Sequence, residues 1–109
     1  MFEITPKTIH AREGVNGVTC CTNHFCTEGL ATPDKCWRLP LLLPLQKEEK
    51  KVGVAEIFAK LDEVNQKKAT LQSMVFEPAD RILHLKYGDG PATKKGAVRL
   101  DLGKMFEGK

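Results

Sequence analysis

The chain has 109 residues, of which 41% are hydrophobic and 28% are charged, and its formal net charge is +3. This length fits one domain, or a piece of one, and the composition is too apolar for a disordered chain. So small a charge predicts no nucleic-acid partner, and no apolar run approaches the ~20 residues that a membrane span needs, so we expect no membrane partner either.

The first quarter of the chain predicts a β-hairpin. Residues 2–12 alternate in polarity around Pro6, which is typical of an edge strand or a kink. Asn16-Gly17 is the strongest short hairpin signal, since both residues tolerate a positive φ. The β-branched run at 18–22 is therefore expected to be the return strand, ending at residues 23–25.

Residues 26–36 predict a loop that leads into a short helix. Thr32 is the expected N-cap and Pro33 the first helical residue, and such a helix would carry Cys36 on its apolar side. Pro40 and Pro44 predict that the helix is short or kinked.

The second half of the chain has the clearest periodicity. Apolar residues at helical spacing over 54–64 predict an amphipathic helix. Alternating segments predict strands over 70–77, 81–87 and 98–102, with a turn at 78–80. The order ββ, α, α, ββ, β predicts an α+β fold with antiparallel sheet hairpins and two central helices, in a single domain spanning 1–109.

The four cysteines, at positions 20, 21, 26 and 36, crowd into one stretch, whereas a disulfide scaffold would spread them along the chain. Reduced thiols and a cytoplasmic location are expected. Cys20, Cys21, His24 and Cys26 have a poor spacing for zinc, which favours small core residues over a metal site. A cysteine nucleophile would need a base, with the histidines at 10, 24 and 84 as candidates.

Asn23 is an unusual residue for the exit of a buried strand, because its amide must find partners when buried. The amide could donate an N–H to a developing oxyanion. It could equally close the strand as an Asx-type cap. Spacing alone favours the cap.

Five segments resemble one family. They are similar, in this order, to segments of N-terminal-nucleophile hydrolases: Thr22-Asn23-His24-Phe25, Cys36-Trp37-Arg38-Leu39, 55–65, 70–78 and 83–92. Within this class, the segments resemble those of the isopenicillin N acyltransferase family and, more distantly, those of choloylglycine hydrolase. The resemblance covers most of the chain.

The resemblance implies a four-layer αββα sandwich and a cysteine nucleophile exposed at a new N-terminus by self-cleavage. It implies that Asn23 binds the oxyanion and that Arg38 orients the nucleophile or a substrate carboxylate. No cofactor and no metal are expected. Cys21-Thr22 mimics a nucleophile dipeptide but follows Cys20 rather than glycine, and too little chain follows it for the whole sandwich.

We therefore expect the C-terminal part of such an enzyme, acting on a small amide or acyl substrate and inactive without an N-terminal half. The alternative is a small, non-catalytic α+β interaction domain in which Asn23 caps a strand. A partial sandwich leaves apolar faces uncovered, so homo-oligomers are expected. Five apolar side chains are not all expected to find partners in so short a chain: Phe2, Leu41, Phe58, Phe76 and Met105.

Overall fold

The structure, a computed structural model, describes residues 1–30, 36–47 and 49–107 of the chain. It divides into two compact units, Met1–Lys51 and Val52–Lys109. Each unit contains one antiparallel sheet and short helices, so the expected α+β class is confirmed. Among the described residues, no helix is both long enough and apolar enough to cross a membrane.

The first unit begins with a small hairpin. Strand β1 (Phe2–Ile4) pairs with β2 (Ile9–Ala11), with Phe2 opposite Ala11. Thr5 closes the turn between them, because its hydroxyl accepts hydrogen bonds from the backbone N–H groups of Lys7 and Thr8. The segment predicted as one kinked strand is thus a complete hairpin that folds back at Pro6.

The Asn16-Gly17 turn forms as predicted, with φ of 50° and 76° and a single bridge between Val15 and Val18. The expected return strand at 18–22 is wrong, because these residues do not join a strand. Their intended partners, residues 2–12, pair with each other instead. Side chains donate hydrogen bonds to backbone carbonyls of this segment instead. Gln46 Nε2 donates to Val18 O, and Arg12 Nη2 donates to Cys20 O.

Helix α1 spans Leu39–Leu42, and a 3₁₀ helix over Leu43–Gln46 continues it. The helix is as short as its prolines predict. The expected start at Thr32 and Pro33 lies outside the described residues, and Cys36 precedes the helix rather than lying on it.

The second unit is a three-stranded sheet with one helix on it. Helix α2 (Val54–Glu63) has the predicted amphipathic pattern, and a 3₁₀ turn at Lys67–Ala69 follows it. The strands are β3 (Gln72–Glu77), β4 (Ile82–Tyr87) and β5 (Val98–Asp101), in the order β3-β4-β5. A 3₁₀ turn, Ala92–Lys94, lies between β4 and β5.

The two faces of this sheet differ. Phe58 of α2 is buried and lies under the Lys86 ammonium, 4.6 Å from Nζ to the ring centroid, while Val75 is buried on the same face. The other side, which we call the open face, carries mostly apolar pairs, with the polar Gln72 opposite Tyr87 at one end. Its apolar members are Met74, Phe76, Leu83, Leu85, Val98 and Leu100.

A last helix, α3 (Leu102–Met105), was not predicted from the sequence. It begins at Asp101, whose Oδ1 accepts a hydrogen bond of 3.0 Å from the backbone N–H of Lys104. The one sequence feature that indicates this helix is an aspartate at the N-cap position, and it lies inside residues 98–102, whose alternation predicts a strand.

Asp101→Ala is expected to lower the free energy of unfolding by about 1 kcal/mol, because one N–H of α3 loses its cap. Urea unfolding measures the difference. Asp101→Asn keeps an acceptor and should restore most of the stability, while Asp89→Ala, at an exposed turn residue, should change nothing. Equal unfolding midpoints for Asp101→Ala and the unchanged chain would contradict the assignment.

Candidate functional site

The first unit contains a cleft of about 350 Å³, lined by residues 1–4 and 21–25. Three residues singled out in the sequence, Cys21, Asn23 and His24, line it. Cys21 and Asn23 are exposed and His24 is half-buried, and none of them lies in a helix or strand. The irregular path of residues 19–25 is what presents these side chains at a surface instead of in a sheet.

Arg38 contacts Asn23. Its Nη2 donates a hydrogen bond to Asn23 Oδ1. A guanidinium can only donate, so this contact fixes which end of the amide faces Arg38. Asn23 Nδ2, the donor end, has no hydrogen-bond partner in the described part of the chain. Among these residues Asn23 also makes no bond to its own backbone, as an Asx-type cap would.

Thr22, the residue before Asn23, contacts a thiol that was expected on a helix face. Cys36 Sγ lies 3.2 Å from Thr22 Oγ1, and both side chains are half-buried. His24 is half-buried as well, and its Nδ1 is fully enclosed without a hydrogen-bond partner among the described residues. Side chains of the two motifs, Thr22–Phe25 and Cys36–Leu39, are therefore in contact with each other.

The environment of Cys36 favours the thiolate. The hydrogen bond with Thr22 is the largest cause that lowers the pKa of Cys36, to about 6. Burial acts in the opposite direction, and the backbone N–H groups of Leu39 and Arg38 and the His24 side chain add to the lowering. A thiol with such a pKa is mostly ionised at pH 7.

The other cysteines differ from Cys36. Cys20 is buried and donates to Leu42 O, and burial, with Cys21 adding to it, raises the pKa of its thiol. Cys26 Sγ has only a long contact of 3.9 Å to His24 O. Cys21 is exposed at the cleft. No disulfide joins the four, all of which are free thiols.

The three histidines considered as candidate bases lie in different parts of the structure. His24 lines the cleft, whereas His10 is on β2 and His84 Nε2 is hydrogen-bonded to Glu77 Oε1 at 2.6 Å in the second unit. Over residues 1–30, 36–47 and 49–107, no three His, Cys, Asp or Glu side chains are arranged to hold a metal ion.

Glu3 holds the loop beside the cleft in place. Its carboxylate is only 7% exposed and accepts hydrogen bonds from the backbone N–H groups of Cys26 and Thr27, at 2.6 and 2.8 Å, and from the Thr27 hydroxyl. Arg12 Nη1 lies 3.2 Å from Oε1. Burial raises the pKa of Glu3, but these donors and Arg12 outweigh it and lower the pKa to about 2.

The Glu3 carboxylate should make the first unit sensitive to acid. Its pKa is lower in the folded chain than its ordinary value of 4.5, so its contribution is complete above about pH 4.5 and is lost as the pH falls toward 2. The fluorescence of the single tryptophan, Trp37, should follow this loss. Glu3→Gln should be less stable at pH 7 and should lack this acid transition, and an unchanged transition would contradict the role of Glu3.

Sequence reasoning missed Cys36 and Glu3 as members of the site, and it named His24 only as one of three candidate bases. The available signal was proximity in the motifs: His24 follows Asn23, and Cys36 lies two residues before Arg38. Glu3 carried no signal, because its partners at 26 and 27 lie in a loop without a motif.

Fold and site together define an α+β chain with amide, thiol and guanidinium groups gathered beside one cleft. Comparison of the chain with protein-family models, with curated proteins and with solved structures finds no match in any of the three. The likeness to N-terminal-nucleophile hydrolases therefore rests on the five sequence segments and remains a prediction.

Proposed function

We propose that this chain supplies the oxyanion-binding side of a cysteine N-terminal-nucleophile hydrolase or acyltransferase that acts on amide or peptide C–N bonds. One observation carries the proposal: Arg38 holds Asn23 by its amide oxygen, at a cleft, and leaves the amide nitrogen without a partner among the described residues. A donor oriented in advance is what a developing oxyanion needs.

The proposed chemistry assigns one role to each residue. Attack on an amide carbonyl places negative charge on its oxygen, and Asn23 Nδ2 donates a hydrogen bond to it. Arg38 acts as a positioning residue, since its guanidinium keeps the amide from turning its oxygen toward that charge. The nucleophile is the N-terminal cysteine of an N-terminal half, without which the chain does not cleave amides.

The second unit is compatible with a part of an αββα sandwich. In that architecture each sheet carries helices on one face and packs against the other sheet with its second face. The sheet β3-β4-β5 has α2 on one face and apolar side chains on the open face. This arrangement supports the proposal, because the open face is suited to a second sheet.

Exposed apolar side chains support association with another copy or with the N-terminal half. Of the five apolar side chains named from the sequence, Phe58 is buried against the sheet. The other four are between 38% and 68% exposed. They are Phe2, Leu41, Phe76 and Met105.

The test is to express the natural gene with all of its coding sequence and to determine the N-terminus of the mature protein by mass spectrometry. The proposal expects a new N-terminal cysteine, encoded upstream of Met1 after a glycine, and hydrolysis of an N-acyl p-nitroanilide. Replacing that cysteine with alanine is the matched control and should abolish both processing and hydrolysis. A gene that begins at Met1, with no amidase activity, would favour the non-catalytic interaction domain.

A further inference from the structure

The second unit contains a cleft of about 620 Å³, a volume in the range of small-molecule sites. Residues of α2 and β4 line it, together with the 3₁₀ turn at Ala92–Lys94 and the segment that leads from this turn to β5. Lys86 is one of the lining residues and alternates along β4 with Leu83 and Leu85. The cleft therefore lies on the side of the sheet opposite the open face, and association through the open face leaves it uncovered.

Much of the lining is aliphatic. Ala55 and Ala59 are exposed on α2, and Val54 is half-buried at the start of the same helix. Ala97 is exposed on the segment before β5. None of these side chains has a hydrogen-bonding group, so they stabilise a ligand only by removing its apolar surface from water. This part of the cleft is suited to an alkyl group.

Lys86 places a positive charge beside this aliphatic surface. The residue is half-buried, its Nζ donates a hydrogen bond of 3.0 Å to Thr93 O, and Nζ lies 4.6 Å from the centroid of the Phe58 ring. An ammonium has three donors, so two N–H bonds are left for a ligand. Within the described ranges of the chain, Lys86 makes no ion pair with a carboxylate. Its charge is therefore held in position and is not compensated.

The other ionisable groups of the cleft leave its charge positive. The Asp62 carboxylate pairs with the Lys94 ammonium, which compensates its negative charge. His84 Nε2 lies 2.6 Å from Glu77 Oε1. Lys95 is exposed at the cleft and makes no ion pair in the part of the chain that the structure describes. Two ammonium groups thus remain without a carboxylate partner there, and they favour an anionic ligand.

We propose that this cleft binds a small amphipathic anion, an aliphatic carboxylate of medium chain length. The carboxylate accepts hydrogen bonds from Lys86 Nζ, and the alkyl chain lies along the alanines of α2. The charged hydrogen bond fixes the head of the ligand, and removal of the alkyl chain from water adds affinity. Binding is reversible, and no covalent bond forms or breaks. The inference does not rest on the proposed function, because every residue that it uses belongs to the second unit.

The test titrates octanoate into the isotope-labelled 109-residue chain and follows the backbone amide signals by NMR. Octanamide is the matched ligand, with nearly the same shape and no charge. We expect octanoate to bind with a Kd on the order of 1 mM and to shift the amides of residues 54–62 and 93–97. Octanamide should bind roughly tenfold more weakly, because it lacks the charge that strengthens the hydrogen bonds from Lys86.

Two pairs of variants test the charge of the cleft. Lys86→Met keeps a long side chain over Phe58 and should raise the Kd for octanoate roughly tenfold, whereas Lys68→Met, at an exposed lysine outside the lining, should not change it. Ala59→Glu, on the exposed surface of α2, should weaken binding more than Ala59→Gln, which adds the same bulk without charge.

Three results would overturn the proposal. They are equal affinities for octanoate and octanamide, an unchanged Kd in both Lys86→Met and Ala59→Glu, and amide shifts confined to residues outside the cleft. The Ala59 pair remains informative if Lys86→Met fails to fold, because Ala59 is exposed and either substitution leaves the buried residues untouched.

Discussion

Asn23→Ala, made in the whole protein, is expected to lower kcat for amide cleavage by ~10²–10³, with a small change in KM. The substitution removes one hydrogen-bond donor to the oxyanion. Because the negative charge is present in the transition state and not in the bound substrate, the loss falls on the chemical step. Steady-state kinetics with an N-acyl p-nitroanilide measures both constants.

Asn23→Asp is the more stringent variant. Aspartate has nearly the same shape and keeps an oxygen for Arg38, but an ionised carboxylate has no proton to donate. We expect a loss at least as large as in Asn23→Ala, with the contact to Arg38 preserved. A merely structural Asn23 would tolerate aspartate, because the contact with Arg38 is the one hydrogen bond described for it.

Asn16→Gly is the matched control for this prediction. Asn16 is another exposed asparagine of the first unit, and its Nδ2 donates to Gln46 O at 2.8 Å. Its φ is 50°, which glycine adopts without strain. The variant should keep kcat within about twofold of the unchanged protein, since it loses only a surface hydrogen bond. A full rate in Asn23→Ala would remove the oxyanion assignment altogether.

The elements that the sequence predicted correctly are those whose pattern is local. Helix α2 follows from apolar residues at helical spacing, and β3, β4 and β5 follow from alternation bounded by turn residues. The Asn16-Gly17 turn is equally local, because its two residues alone determine the backbone conformation. In each case the physical cause lies within a few neighbouring residues.

The errors came from pairing between distant segments. The run at 18–22 has the composition of a strand, but a strand needs a free partner, and β1 and β2 pair with each other. The contact between Thr22 and Cys36 could not be predicted for the same reason. The two residues are 14 positions apart, and nothing local in either segment points to the other. Arg38 and Asn23 were both named from the sequence, but their contact could be seen only in the structure.

The open face of the second unit leads to the other large expected effect. Phe76 is 55% exposed and Met74 is 41% exposed on β3, and the paired strand β4 adds Leu83 and Leu85 on the same side. Side chains of this kind are stabilised by about 1.5–3 kcal/mol each when they are removed from water. In the chain by itself, pairing of two open faces is the simplest way to remove them, and we expect self-association.

Phe76→Lys should weaken this association by about 10–10²-fold, because a symmetric dimer loses two phenylalanine contacts, and each side chain, 55% exposed, has only about half of the 1.5–3 kcal/mol of full burial to gain. Lysine also places two like charges at the interface, which adds to the loss. Gln72→Lys is the matched control: it makes the same change of charge on the same strand and face, at a polar, exposed position. Sedimentation equilibrium distinguishes the variants, and an unchanged chain that remains monomeric at high concentration would show that the open face does not bind a second copy.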